Sequence, residues 1–348
     1  VKIALLGCKG TTLDLLNSII LQQSFNIDLV ITLPQDIAEK NKVAFYQGPE
    51  IVDLCRRYAI PVHIVQSYHL KNDQDFQYFK REAIDLLLVI GWERLIPGEI
   101  LNTLGKFACG MHGSPYGLPK GRGRSPLNWS ILTEHTKFIT YLFKYDSFID
   151  SGQIIGFKVF DINEFDTIAT LHLKNRIAMG QLLKLYVPLI ESGEVTFLAQ
   201  PPEKPTYYPK RTPDDSGIDW GQNTWQIYNL IRAVAPPYPP AYCYHHDRKI
   251  FISEAYPFES GLFHCSTVPG TIVDISVSLK QFVVKTMDGS LIIKQFNGAD
   301  MEDFELGDVL EGVNHGDILQ QIIQRYPEDI LDDQKEIRAT WHPGKKYA

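Results

Sequence analysis

Short apolar runs alternate with amphipathic stretches of helical period through the N-terminal half of this chain, and that alternation restricts it to a layered α/β fold. Val1 to Leu6 is apolar apart from Lys2 and runs into Gly7-Cys8-Lys9-Gly10, after which Thr11 or Thr12 is placed to cap an amphipathic segment from Leu13 to Gln22. This reads as strand, tight turn, helix. The same pattern predicts strands at Ile27 to Leu33, Val62 to Val65, Ile84 to Trp92, Lys106 to Met111 and Phe138 to Tyr145. Helices are predicted at Ile51 to Tyr58, at Ser125 to Leu132 and over Ile168 to Leu189, where Gly180 is a weak point and not a break. Strands joined through helices pair in parallel with the helices covering the faces, so the expected fold is a Rossmann-like parallel sheet.

The texture changes at Gln200 to Pro213, where prolines and polar residues cluster. A helix around Trp225 to Val234 precedes short β-rich runs at Tyr242 to Tyr244, Lys249 to Ile252, Thr271 to Ser276, Phe282 to Thr286 and Leu291 to Gln295. Asp288-Gly289 is a hairpin signal between the last two. A small β-barrel is the expectation there. The 348 residues exceed what single cores usually reach, which agrees with two domains. The boundaries are drawn at 1–203 and 204–300, with 301–348 as a tail without an assigned role.

Hydrophobic content of 44% with 22% charged residues is ordinary for a soluble globular protein, and no apolar run is long enough to span a bilayer. The N-terminal apolar run lacks the length and cleavage site of a signal peptide, so the expected location is the cytoplasm, with no membrane partner. The five cysteines lie far apart, forming neither a disulfide framework nor a metal knuckle, and read as reduced thiols. A net charge of -7 disfavours nucleic acid as a partner, because such binding displaces counterions with basic surface. Oligomeric state is left open, a homodimer included.

The densest cluster of reactive residue types is Gly110-Met111-His112-Gly113-Ser114 followed by Leu118 to Trp129, directly after a predicted strand. Ligands of open α/β sheets bind beyond the carboxyl ends of the strands, which is where His112 falls. A lone histidine there is often structural. A second element, Phe148-Ile149-Asp150-Ser151-Gly152, supplies a carboxylate just past another predicted strand. An imidazole oriented by a carboxylate suits general acid and base chemistry, although Asp-Ser-Gly is also a common turn sequence. Adjacent His245 and His246 with Asp247 invite a metal reading, but neighbours on a strand point to opposite faces, so solvated surface is preferred. Gly7 and Gly10 lack the third glycine of a dinucleotide fingerprint and read as a tight turn. Tyr238, Tyr242 and Tyr244 read as packing in preference to a stacking platform.

The run HGS…LPKGRGRSPLNW followed by DSGQII resembles the 10-formyltetrahydrofolate-dependent formyltransferases, the family that includes methionyl-tRNA, glycinamide ribonucleotide and sugar N-formyltransferases. GWERLIPGEIL (Gly91 to Leu101) is similar to that family's folate-side segment. YYPKRTPDDSGIDW (Tyr207 to Trp220) and YNLIRAVAPPYPPAYCY (Tyr228 to Tyr244) resemble its entry into the C-terminal domain. The resemblance implies a Rossmann-like catalytic domain joined to an OB-like barrel, a formyl-folate donor and no metal. It assigns catalysis to His112 and Asp150, with Gly110, Ser114 and Asn128 as oxyanion or loop support. Gly110 stands where the family has an asparagine, and two extra residues, Pro115 and Tyr116, follow Ser114. Ile90, Trp92, Arg94, Leu95 and Ile96 are implied to line the folate.

The acceptor is read from Leu33 to Glu50, where the tRNA-acting branch carries a basic insertion. Here LPQDIAEKNKVAFYQGPE holds lysines but no arginine, a poor clamp for RNA, and it is more similar to the branch that formylates a UDP-linked amino-arabinose. The resemblance thus implies a nucleotide-linked amino sugar. Lys120, Arg122 and Arg124, and more weakly Tyr207, Lys210 and Arg211, are candidates for holding its phosphates or for shaping the loop. Rival readings are a methionyl-tRNA formyltransferase and a folate-binding homologue with weakened catalysis.

Overall fold

The computed structural model describes residues 1–146, 148–263 and 266–325. Cys265 and the last part of the predicted tail lie outside them. In chain order the elements are β1 (Ile3–Leu6), α1 (Gly10–Gln22), β2 (Leu29–Thr32), α2 (Gln35–Lys40), α3 (Gly48–Arg57), β3 (Val62–Ile64), α4 (Asp73–Glu82) and β4 (Leu86–Val89). They continue as α5 (Gly98–Leu101), β5 (Phe107–Ser114), β6 (Arg122–Gly123), α6 (Pro126–Leu132), β7 (Lys137–Lys144), β8 (Ile154–Asp161) and α7 (Ile168–Ser192). The remainder carries β9 (Tyr207–Tyr208), α8 (Thr224–Ala233), β10 (Ala241–His245), β11 (Arg248–Phe258), β12 (Ile272–Ser276), β13 (Gln281–Lys285), β14 (Ser290–Asn297) and α9 (His315–Gln324).

Two compact units result. The first takes Val1–Arg122, Ile139–Phe160 and Leu173–Pro205; the second takes Gly123–Phe138, Asp161–His172 and the chain from Thr206 onward. The boundary drawn at residue 203 runs close to the last of these divisions, and two earlier segments group with the second unit.

The first unit is built on a seven-stranded sheet ordered β3-β2-β1-β4-β5-β7-β8. Every residue of β1, β2 and β4 is buried, as two-sided coverage requires. On one face Leu5, Val30 and Leu88 pack with Leu15, Leu16, Leu54 and Leu183; on the other, Leu6, Ile31 and Val89 pack with Tyr68, Phe79 and Trp92. The sheet is parallel from β3 through β5, but β7 runs antiparallel to β5, with His112 opposite Tyr141. This corrects the wholly parallel expectation. A parallel partner needs a crossover within the sheet's own layers, whereas the helix between these strands, α6, belongs to the second unit.

Local details differ from the sequence reading for physical reasons. Lys9, not Thr11 or Thr12, occupies the N-cap of α1, because Thr12 is fully buried and donates its hydroxyl to Ile90 O at 2.6 Å. Gly7 is tight for the same junction: a Cβ there would lie 1.9 Å from Ile90 O. Helix α7 continues through Pro188 to Ser192, beyond the predicted end.

In the second unit, five antiparallel strands pair in the order β10-β11-β14-β13-β12. Their ladder is a five-stranded antiparallel sheet whose end strands do not pair with each other, so of the expected small barrel the antiparallel sheet is what is seen. A segment after β14 meets both end strands: Tyr244 and Glu311 exchange backbone hydrogen bonds at 2.8 Å, and Ile272 N donates to Asp308 O at 2.8 Å. The register shifts in β11 between Ile252 and Ala255 bend the sheet around Phe282, Leu291 and Ile293. The first part of the predicted tail is built into this unit. Leu310 joins its core, Ile318 and Ile322 of α9 pack with Trp129 and Tyr208, and Arg325 bonds Thr212 Oγ1 at 2.9 Å.

Candidate functional site

His112 lies inside β5, two residues before its end, and not beyond it. Strand β5 outlasts the predicted Met111 because β7 supplies a ladder partner for each residue from Cys109 to Ser114. His112 Nδ1 is 3.4 Å from Asp150 Oδ2, and its Nε2 is 3.2 Å from Gly121 O. Both side chains are largely shielded, at 12% and 20% exposure. Each ring nitrogen faces an acceptor, so each contact becomes a hydrogen bond only while that nitrogen carries its hydrogen.

The loop that presents Asp150 is held by a device the sequence reading missed. Gln200 Nε2 donates to Asp150 O at 2.8 Å and to Gly152 O at 2.9 Å, while its Oε1 accepts from Arg122 Nη2 at 2.6 Å. Asp150 itself sits at φ 49°, a left-handed conformation that costs a non-glycine residue energy and persists where its surroundings impose it. Gly152 follows where no side chain fits, since a Cβ would fall 1.6 Å from Lys144 O. Asp146 Oδ1 accepts from Phe148 N at 3.0 Å and Ser151 Oγ at 2.5 Å, closing the turn on itself. No motif marks Gln200; only its place in the polar stretch after α7 sets it apart.

Around His112 the neighbouring candidates divide by what they touch. Ser114 is fully buried, donates to Lys120 O at 2.5 Å and accepts from Tyr116 N at 3.1 Å, so it shapes the loop that contains the extra Pro115 and Tyr116. Gly110 leaves room for the Tyr145 phenol, whose Oη is 2.6 Å from where a Cβ on residue 110 would sit. Tyr145 is a second residue that the sequence reading passed over. Asn128 belongs to the second unit, where its amide donates to Ala233 O at 2.7 Å and ties α6 to α8.

The segment after β4 has Ile90, Trp92 and Ile96 buried and Leu95 exposed at 55%. Trp92 Nε1 and Arg94 Nε are buried without a hydrogen-bond partner among the described residues, and the Arg94 guanidinium lies 4.5 Å over the Tyr68 ring. Buried donors left open beside apolar side chains fit a flat, hydrogen-bonding heterocycle.

The basic candidates are less uniform. Lys120 pairs with Glu203 at 3.2 Å in the first unit, and Arg122, buried there, is committed to Gln200. Arg124, Tyr207, Lys210 and Arg211 belong to the second unit. Arg124 N donates to Tyr208 O at 3.0 Å with its side chain exposed, as is that of Lys210. Arg211 donates to Asp215 O at 2.7 Å and lies 5.3 Å over the Trp129 ring, and burial pulls its pKa down to about 10. These contacts hold its guanidinium within that unit.

His245 and His246 do not point to opposite faces. His246 leaves the strand geometry at φ 48°, and the two rings approach to 4.1 Å. Together with Asp308 they bring metal-ligating atoms within 4.8 Å of one another, the Asp308 carboxylate already accepting from Glu305 N and contacting His245 Nε2 at 2.9 Å. Tyr242 donates to Asp214 O at 3.1 Å and packs edge-on to Tyr244, while Tyr238 meets His172 at 3.0 Å.

A mostly parallel sheet with a histidine and a carboxylate paired at its final parallel strand, and a separate antiparallel sheet in the second unit, define a two-part α/β architecture. Residues 210–314 match the family model described as the formyl transferase C-terminal domain. The chain shares its fold with the N-formyltransferase of Helicobacter canadensis, crystallised with folinic acid and dTDP-3-aminofucose: 18% identity, 85% of this chain and 100% of that one covered, TM-score 0.60. It is similar also to WlaRD, a sugar 3N-formyl transferase crystallised with dTDP and 5-N-formyl-THF, at 16% identity over 86% and 98% of the two chains and a TM-score of 0.60. HypX from Aquifex aeolicus, crystallised with tetrahydrofolic acid, matches 93% of this chain at 16% identity and a TM-score of 0.58, but this chain spans only 48% of it.

Proposed function

We propose that this protein transfers the formyl group of 10-formyltetrahydrofolate to the amine of a nucleotide-linked amino sugar. The observation that carries the reading is the approach of Asp150 to His112 at 3.4 Å, on a loop held by Gln200, in a chain whose fold is shared with enzymes crystallised with formyl-folates and a dTDP-linked amino sugar. The Rossmann-like part carries the chemistry, and the smaller sheet, its end strands bridged by the segment around Asp308 to Glu311, is read as its OB-like companion. The reduced, buried thiols fit a cytoplasmic setting.

The neutral amine attacks the formyl carbon, forming a C–N bond as the carbonyl electrons move to oxygen. Collapse breaks the bond to the folate nitrogen. His112 takes the proton that the amine loses and returns it to the departing nitrogen, and Asp150 orients the imidazole for both transfers. Ile90, Trp92 and Ile96 line the folate, with the open Trp92 and Arg94 donors available to its ring; Lys120 is the first unit's cation for the nucleotide's phosphates. Incubation with donor and a panel of nucleotide-linked amino sugars should give a mass gain of one formyl group on at least one acceptor, lost in His112→Ala. A wild-type protein that formylates none of the panel would overturn the acceptor reading.

A further inference from the structure

Formyl transfer places negative charge on the formyl oxygen at the tetrahedral stage, and a donor must meet it in a site from which water is excluded. His112 and Asp150 handle protons and leave that task unfilled. Residues two apart on a strand face the same side, so a side chain on Gly110 would project from the same sheet face as His112, about 7 Å along the strand. That space is taken by Tyr145, whose Oη and ring atoms lie 2.5–2.7 Å from where the Cβ would be. The ring is fixed by stacking on Phe143 at 5.5 Å and by Tyr145 N donating to Ala108 O at 2.8 Å. Burial, with the Asp150 carboxylate adding to it, raises the phenol's pKa, so the hydroxyl keeps its hydrogen at any working pH. The other nearby hydroxyls are engaged: Ser114 Oγ donates to Lys120 O, and the Tyr141 phenol bonds the Leu118 backbone.

We infer that Tyr145 is a catalytic residue of this protein, its phenol donating a hydrogen bond to the formyl oxygen as the amine adds, with Gly110 kept free of a side chain to admit it. The inference rests on the formyl-transfer reading. No proton leaves Tyr145 in the step; the amine's proton still travels through His112. The test is steady-state kinetics of Tyr145→Phe, a variant that preserves the ring and its stacking. The expected result is a fall in kcat of about 10²- to 10³-fold, with KM for both substrates and the unfolding midpoint unchanged. A second variant, Gly110→Asn with Tyr145→Leu, removes the phenol and offers an amide donor from the other side, and should recover at least about tenfold over Tyr145→Phe. A Tyr145→Phe kcat within about threefold of wild type overturns the inference, as does a loss that appears in KM or in the unfolding midpoint. Wild type that formylates no amino sugar but hydrolyses the donor sinks only the acceptor reading, because attack by water builds the same oxyanion and the kcat comparison is then made on hydrolysis. Wild type that does neither overturns both.

Discussion

At the scale of single residues, the site depends on one contact that substitution can break without disturbing the backbone. Asp150→Asn keeps size and shape, and the loop stays in place because Gln200 holds the main-chain carbonyl of residue 150, not its carboxylate. The expected outcome is a drop in kcat of about 10²-fold with little change in KM, since general acid and base assistance contributes about 10²- to 10⁴-fold. Retention of wild-type kcat would remove Asp150 from the chemistry. A second prediction at this scale concerns stability and not turnover. Burial pulls the His135 imidazole from 6.5 to about 4, so between those pH values the unfolded chain binds a proton that the folded protein refuses. Stability is therefore complete above pH 6.5 and declines as the pH falls toward 4, by at most about 3 kcal/mol for this group. Urea midpoints measured at pH 7 and 5 should converge in His135→Gln relative to wild type; an equal slope in both proteins would show that His135 is not the group responsible.

At the scale of elements, the Asp150 loop is a clamp with two parts, Gln200 on one side and Gly152 on the other. Gln200→Ala removes three hydrogen bonds, two to the loop carbonyls and one from Arg122, and should cost about 1–3 kcal/mol of stability and roughly tenfold in kcat, as judged by thermal unfolding alongside kinetics. Gly152→Ala should do more, because its Cβ would meet the Lys144 carbonyl, a backbone atom that cannot swing aside. If Gly152→Ala proves the milder of the two, the loop is held elsewhere. These contacts also mark the limit of what the sequence discloses. Strands β1, β2 and β4 are legible because burial on both faces leaves unbroken apolar runs, and His112 and Asp150 are legible because each follows such a run within a motif. Helix α4 escapes notice because its apolar face is three aromatic residues, Phe76, Tyr78 and Phe79, in an otherwise charged and polar segment. Gln200 and Tyr145 escape because each acts on residues far away in the chain, on the Asp150 loop and on the void at Gly110. The antiparallel β7 escapes because an apolar run gives a strand but no direction.

At the scale of the whole molecule, four cysteines report on the two units independently. Cys55 and Cys109 lie in the core on one face of the first unit's sheet, Cys8 in the core on the other face, and Cys243 in the core of the second unit. Burial pushes the thiols of Cys8, Cys109 and Cys243 up to about 12 and that of Cys55 to about 11, from an ordinary 9. At pH 8 the reactive thiolate is thus suppressed by roughly 10²- to 10³-fold relative to an unfolded chain, before steric exclusion adds its share. In native protein, peptide mapping after iodoacetamide treatment should find these four positions unmodified. Along a urea gradient, Cys8, Cys55 and Cys109 should become reactive together despite their separation in sequence, because one sheet links both cores of the first unit, while Cys243 follows the second unit's own midpoint. Reaction of Cys8 at urea concentrations where Cys109 is still protected would mean that the two faces of the sheet open separately, and the first unit would then not be a single cooperative body carrying His112 and Asp150 on one frame.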